Sequence, residues 1–321
     1  MEYAPAAVYE SMDLRALRAK GKRVYYKFYA DEGLRFVRQN YPQYTVLYEP
    51  LQQHLVGVRQ GLIRRTRKPE EGFKRLMEKP PKDALLKALH KVFSLITTRS
   101  MLQRKDFGVF GSLLHRFYHP DFSDLDLIVY SREKLGKLRE TLKEFYKEES
   151  SSLRNEFETE EAVEGKHWKF VNYSLKEYLW HQRRKMIYAV FEDEKSERAV
   201  KTEFEPVKKW EEIRNEYSSK TRVVKRGWIK AVARITDDHD DPFIPSIYQI
   251  ELIKVLEGPK VENLQRVVSY VEEFRMQANR DEEVYLEGNL EQVTSSKKIF
   301  HQIMLTYGPR YYEQVLKVLK K

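Results

Sequence analysis

The chain has 321 residues, with 59 Lys and Arg against 49 Asp and Glu and a formal net charge of +10. That length supports two or three domains with cores of their own, and the basic excess favours an acidic partner, nucleic acid before others. The absence of cysteine excludes disulfides, zinc–thiolate centres and cysteine nucleophiles. No run of about eighteen apolar residues occurs and Met1–Pro5 begins no signal peptide, so the expectation is a soluble, cytoplasmic protein without membrane contact. A charged fraction of 34%, rich in Lys and Glu, also suits the surface of a heat-adapted protein.

In chain order, the first stretch reads as β-rich: Lys22–Tyr29 and Tyr44–Tyr48 are strand-like, with a short helix, Glu32–Gln39, between them. Tyr and Lys interleave in the first run, which suits a half-buried strand with a basic face better than a base-stacking surface. From Arg59 to Lys79 there are eight basic and three acidic residues, and Arg64, Arg65, Arg67 and Lys68 cluster before Pro69. This is either a grip on a phosphate backbone or a solvated helix face. Asp83 caps a helix with Leu85, Leu86, Leu89, Val92, Phe93 and Ile96 on one side; Ser131 caps another with Leu135, Leu138, Leu142 and Phe145.

Residues 148–165 are acidic and serine-containing, as in a surface excursion. Lys185–Phe191 and Ala199–Val207 read as strands around the turn Glu192–Arg198, and His181–Lys185 is a second basic patch that includes Arg183 and Arg184. A third runs from Lys220 to Lys230. Over the last hundred residues the predicted strands are Arg222–Arg234, Ser246–Leu256, Arg266–Phe274 and Val284–Val293, with Asp237–Asp241 as an exposed turn and Arg310–Lys320 as a closing helix. Regular strands of this kind suggest a small, partly open, OB-like barrel.

Between the two capped helices lies the most informative pattern. Gly108-Val109-Phe110-Gly111-Ser112 is followed, after eleven intervening residues, by Asp124-Leu125-Asp126-Leu127-Ile128-Val129-Tyr130. Period two places Asp124 and Asp126 on one face of a strand and Leu125 and Leu127 on the other. Paired carboxylates repel unless a cation lies between them, and hard oxygen ligands suit Mg²⁺. A glycine turn opening a short helix directs backbone N–H groups and the Ser112 hydroxyl at an anion. His115 and His119 are neighbours of this turn. Among rival motifs, no Gly-x-Gly-x-x-Gly, Walker lysine loop or Gly-x-Ser-x-Gly elbow occurs.

This arrangement resembles the polymerase-β-type nucleotidyltransferase superfamily, and is closest to archaeal nucleotidyltransferase-domain proteins, over about residues 85–135. The resemblance implies an α+β fold: a palm-like sheet with helices at 59–215, flanked by a β-rich segment at 1–58 and the barrel-like domain at 216–321. It also implies a third carboxylate on a later strand. Glu203 and Glu205 share one face of Val200–Val207, and Glu203 is preferred because Pro206 signals the strand's end.

The implied activity is transfer of a nucleoside monophosphate, ribo or deoxy, from a triphosphate to a hydroxyl. By this resemblance Asp124, Asp126 and Glu203 (or Glu205) would hold two Mg²⁺ ions, with Mn²⁺ as the alternative. Gly111, Ser112, Arg116 and Lys134 contact the nucleotide. The expected acceptor is nucleic acid, RNA ahead of DNA, held by Arg64, Arg65, Arg67, Lys68, Arg183 and Arg184. Transfer to a protein or small molecule is the alternative, and an inactive nucleic-acid-binding module is another.

Overall fold

The computed structural model describes residues 3–13, 16–20, 22–28, 32–51, 53–163, 170–192, 198–214, 220–296, 298–308 and 310–319. Met1, Glu2, Tyr29, positions 193–197 of the Glu192–Arg198 turn, and Lys320 fall outside the described residues. The fold is mixed α+β, with several sheets and six α-helices among the described residues. It divides into two compact units. The first comprises Met1–Tyr48, Gln53–Arg154 and Ile187–Glu205; the second comprises Glu49–Gln52, Asn155–Met186 and Pro206–Lys321.

The first unit opens with strands β1 (Tyr3–Pro5), β2 (Leu17–Lys20) and β3 (Arg23–Lys27), an antiparallel sheet with β3 in the middle. Helix α1 (Glu32–Asn40) follows, then the antiparallel pair β4 (Thr45–Tyr48) and β5 (Gln53–Val56). Tyr25 of β3 stacks on Phe117 at 5.4 Å, so its ring is engaged inside the unit. Helix α2 (Pro69–Met77) starts where Pro69 sets a helical φ, and α3 (Ala84–Ser100) starts where Asp83 accepts from Leu86 N. The α3 face predicted from its spacing is the buried one, from Leu85 to Ile96.

Strand β6 (Phe107–Val109), helix α4 (Gly111–His115), strand β7 (Leu125–Tyr130) and helix α5 (Arg132–Phe145) succeed one another, and Ser131 caps α5 by accepting from Lys134 N. Strands β8 (Leu153–Asn155), β9 (Tyr188–Phe191) and β10 (Val200–Val207) complete a five-stranded sheet of order β6-β7-β10-β9-β8. Helix α5 packs on β7 and α3 on α5, while α2 lies against β6 and α4. Phe73, Phe93 and Phe107 join α2, α3 and β6 through ring contacts of 5.2–5.9 Å.

In the second unit, helix α6 (Leu175–Arg183) begins with a capping box between Ser174 and Glu177. Strands β11 (Arg222–Asp240), β12 (Ser246–Glu257), β13 (Leu264–Ser269), β14 (Glu283–Thr294), β15 (Ile299–Leu305) and β16 (Val315–Val318) form one sheet of order β11-β12-β13-β15-β14-β16. The 19-residue β11 pairs with β14 from Arg222 to Arg234 and with β12 from Lys230 to Asp240. The ladder therefore returns on itself through five strands, with β13 and β15 parallel and the other pairs antiparallel. Ile229, Ala231, Ala233, Ile235, Tyr248 and Leu286 are among the side chains of its buried core.

Several expected elements differ. Over Arg310–Leu319, the described part of the expected closing helix, there is no α-helix: a 3₁₀ turn, Tyr311–Glu313, leads into β16, which pairs with β14 from Glu287↔Val315 to Val284↔Val318. A helix of about eleven residues is marginal by itself, whereas the ladder satisfies the backbone and buries Val315 and Leu316. The excursion at 148–165 contains strand β8, where Leu153 is buried. The Arg266–Phe274 strand ends at Ser269 and gives way to a 3₁₀ turn at Glu272–Phe274. Asp237, Asp238 and Asp240 belong to the end of β11 rather than to an exposed turn, and Asp241 is buried. Asn155–Met186 clusters with the C-terminal strands.

Candidate functional site

Strand β7 alternates, with Leu125, Leu127 and Val129 buried on one face and Asp126 and Tyr130 half-buried on the other. Asp124 precedes the strand and is exposed, so the paired carboxylates stand on its first residues and its lead-in rather than both within it. The lead-in is held by its own loop: His119 N donates to Ser123 Oγ at 2.8 Å, Ser123 N to His119 O at 3.0 Å, and Asp121 N to His119 Nδ1 at 3.1 Å. Arg198 adds a clamp, its Nη2 donating to Pro120 O at 3.1 Å and Ser123 O at 2.6 Å. Arg198 thus positions the chain entering Asp124, a role with no local sequence signal because its partners are carbonyls 75 and 78 residues away.

The Gly-Ser turn meets this strand directly. Gly111 has φ +55°, and a Cβ placed on it would collide with Asp126 Oδ2. Phe110 N donates to Asp126 O at 3.1 Å, which fixes the turn to the strand through the backbone. Glycine is therefore required at 111 twice, once for the left-handed backbone and once for the approach of the carboxylate. Ser112 is buried at the start of α4. Gly108 makes a second close approach: a Cβ there would lie 2.8 Å from Pro69 Cβ and 3.0 Å from the Tyr130 hydroxyl. That hydroxyl donates to Glu70 Oε2 at 3.2 Å, and burial together with Glu70 pushes its pKa up.

Strand β10 lies beside β7 in the sheet. Its alternation buries Val200, Thr202, Phe204 and Pro206 and leaves Glu203 and Glu205 half-buried on the opposite face. The candidate third carboxylate thus stands on the strand next to Asp126. Among the described residues, no three of Asp124, Asp126, Glu203 and Glu205 bring ligand oxygens within 4.8 Å of one another. The donor set is all carboxylate, the chemistry that suits a hard divalent cation such as Mg²⁺.

The basic candidates fall into different settings. Lys134 is half-buried in the first turn of α5, where its Nζ lies 3.4 Å from Glu133 Oε1. Arg116 caps the C-terminus of α4 at φ +62° and lines a cavity between α2 and α3 together with Arg75, Lys79 and Lys82. Arg64, Arg65, Arg67 and Lys68 form an exposed run before α2; Lys68 reaches Glu71 at 4.0 Å and Arg67 Nη1 is 3.2 Å from His115 Nδ1. His115 stacks on Phe117 at 5.4 Å.

In the second unit, Arg183 donates to Phe157 O and Glu158 O, and Arg184 pairs with Glu282 at 2.6 Å beneath the Trp180 ring. His181, Gln182 and Lys185, read as part of a basic surface patch, are buried. The signal against a surface patch is the helical position: α6 presents Leu179, His181 and Gln182 to the core.

Residues 95–219 match the family model of the nucleotidyltransferase domain. The uncharacterized protein MJ1086 of Methanocaldococcus jannaschii is 26% identical over 192 residues, covering 59% of this chain and 51% of that protein. The match therefore spans about half the length of this archaeal relative. No solved structure matches the chain significantly. The resemblance read from Gly111-Ser112 and Asp124-x-Asp126 thus falls within the stretch that matches the nucleotidyltransferase-domain model, and nucleotidyl transfer is the general chemistry of that family.

Proposed function

We propose that this protein is a metal-dependent nucleotidyltransferase that moves a nucleoside monophosphate from a triphosphate to a hydroxyl acceptor. The observation that supports it best is the contact of Asp126 with the Gly111 turn, on a strand whose neighbour carries Glu203 and Glu205. Asp126 and Asp124, with Glu203 or Glu205, would hold the divalent ions. Bound there, such ions supply charge neutralisation on the phosphates and activation of the attacking hydroxyl.

The chain's own groups do the rest. Gly111 allows a phosphate to approach the backbone, and the N–H groups and hydroxyl of Gly111 and Ser112 orient it. Arg198 and the His119–Ser123 turn keep Asp124 at the mouth of the strand, so that alignment is set before substrate arrives. Lys134, the third residue of the helix that follows β7, contributes positive charge for the leaving group.

For the acceptor we propose nucleic acid, RNA ahead of DNA. Two features support it: the exposed run Arg64–Lys68, and the five-strand ladder of the second unit that returns on itself, the pairing an OB-like barrel for single strands requires. Incubation with labelled nucleoside triphosphates, Mg²⁺ and separate RNA, DNA and protein acceptors tests both halves. Label on RNA with release of pyrophosphate is expected. Label only on protein would replace the acceptor, and no transfer to any of the three would overturn the enzymatic reading.

A further inference from the structure

The cavity that contains Arg116 has a construction unlike the Gly111 site. It measures about 290 Å³ and is lined by Arg75, Lys79, Lys82 and Arg116 around Leu76, Leu86, Leu113 and Leu114, with Gly72, Pro80 and Tyr118 completing the wall. Neither Gly111, Ser112 nor Asp126 lines it. Four cations thus face one concavity, and no carboxylate lines it. The nearby acids already have partners, and of the four cations only Arg75 is among them. Asp83 accepts from Leu86 N and from the Tyr118 hydroxyl, Glu71 faces Lys68 and Arg75, and Glu78 faces Lys74 and Arg104. Among the described residues, the side chains of Lys79, Lys82 and Arg116 make no hydrogen bond or ion pair.

Arg75 has Glu71 as its counter-charge, whereas Lys79, Lys82 and Arg116 gather without one; that costs free energy that an anion removes, and a concave wall focuses their field on the interior. The leucine floor sets the second requirement. A bare hydrated anion gains nothing from apolar side chains, whereas a flat organic body removes the half-exposed Leu76 and Leu114 from water above the already buried Leu86 and Leu113. A volume just below the usual range for ligand pockets restricts that body to a small one.

We infer that this cavity is a binding site for a nucleoside monophosphate, its phosphate held by Lys79, Lys82 and Arg116 and its base laid on the leucine floor. The site is separate from the proposed transfer site and does not rest on that reading.

Calorimetric titration of the full chain in EDTA, with AMP, GMP, CMP and UMP and in parallel with inorganic phosphate and the four nucleosides, tests it. At least one monophosphate should bind saturably and at least tenfold more tightly than phosphate or its own nucleoside. The double change Lys79→Gln, Lys82→Gln should weaken it tenfold or more. Both lysines are exposed, so the fold should survive the change, which a thermal melt verifies. Asp126→Asn should alter this affinity less than twofold. The inference falls if no monophosphate saturates, if inorganic phosphate binds equally well, or if Asp126→Asn removes binding while the lysine changes do not. Omitting divalent ions keeps these outcomes apart from any failure of nucleotidyl transfer.

Discussion

Both units carry dense charge, yet they use it differently. In the first, Asp126 lies against a glycine backbone, Arg64 and Arg65 are exposed, and Lys79, Lys82 and Arg116 face a cavity. In the second, charged and polar groups are locked into the fold. Lys185 Nζ donates to Glu273 O at 2.7 Å, Arg184 pairs with Glu282, Lys208 with Asp240 at 2.7 Å, and Gln302 donates to Glu291 at 2.9 Å. His181 bridges two backbone groups, Glu177 O at 2.6 Å and Val318 N at 3.2 Å. Two acidic clusters make the lesson plain. Asp124-x-Asp126 meets the Gly-Ser turn, whereas Asp237 accepts from His239 N and Asp238 from Arg280 N. Residue type alone does not separate a candidate site from a structural cluster; the partner does.

The largest effect that would break this comparison is on transfer. Asp126→Asn should lower the rate of nucleotidyl transfer by about 10²–10⁴-fold, because an amide cannot replace the carboxylate ligand, with little change in melting temperature. Asp240→Asn should do the reverse, keeping transfer and lowering stability by at most about 1 kcal/mol. Equal behaviour of the two in parallel rate and melting measurements would erase the distinction drawn between the units.

The next effect is on stability against pH. Burial holds the His181 pKa at about 4, below the ordinary 6.5. With Nδ1–H donating to Glu177 O, Nε2 is the acceptor for Val318 N and has no room for a proton. The unfolded chain binds that proton between these values and the folded chain does not. The contribution is therefore fully present above pH 6.5 and is lost as pH falls towards 4, amounting to about 3 kcal/mol. Denaturant titrations from pH 7 to 4 should show this decline, and His181→Gln should flatten it while lowering stability at pH 7.

A smaller effect is expected at the turn. Gly111→Ala requires a left-handed alanine, costing about 1–2 kcal/mol, and displaces Asp126 as well. Transfer should therefore fall more than melting does. A loss of stability with unchanged kcat would mean that the Gly111–Asp126 contact serves the fold only.

The smallest effect separates the two basic segments. Neutralising Arg64 and Arg65 to Gln should reduce the log–log salt slope for single-stranded RNA by about 1.4, at roughly 0.7 per phosphate contact. Arg183→Gln with Arg184→Gln should leave that slope alone and lower the melting temperature, since these side chains hold Phe157 O, Glu158 O and Glu282. Filter binding at several salt concentrations reads both.

What the sequence by itself determined is local or periodic. The caps Asp83 and Ser131, the buried stripe of α3, the alternation of β7 and β10 and the Gly-Ser turn all follow from spacing along the chain. So does the nucleotidyltransferase resemblance, because the residues that carry it lie within one short stretch. Tertiary structure decided what depends on distant partners. It placed β10 beside β7, made a strand of Val315–Val318 by giving it β14 as a neighbour, and set Arg198 on carbonyls far along the chain. It also buried His181 and Lys185 and gathered Arg75, Lys79, Lys82 and Arg116 around one cavity. A lone side chain's charge is written in the sequence, but whether that charge faces water, a backbone carbonyl or a ligand is fixed by residues it meets only after folding.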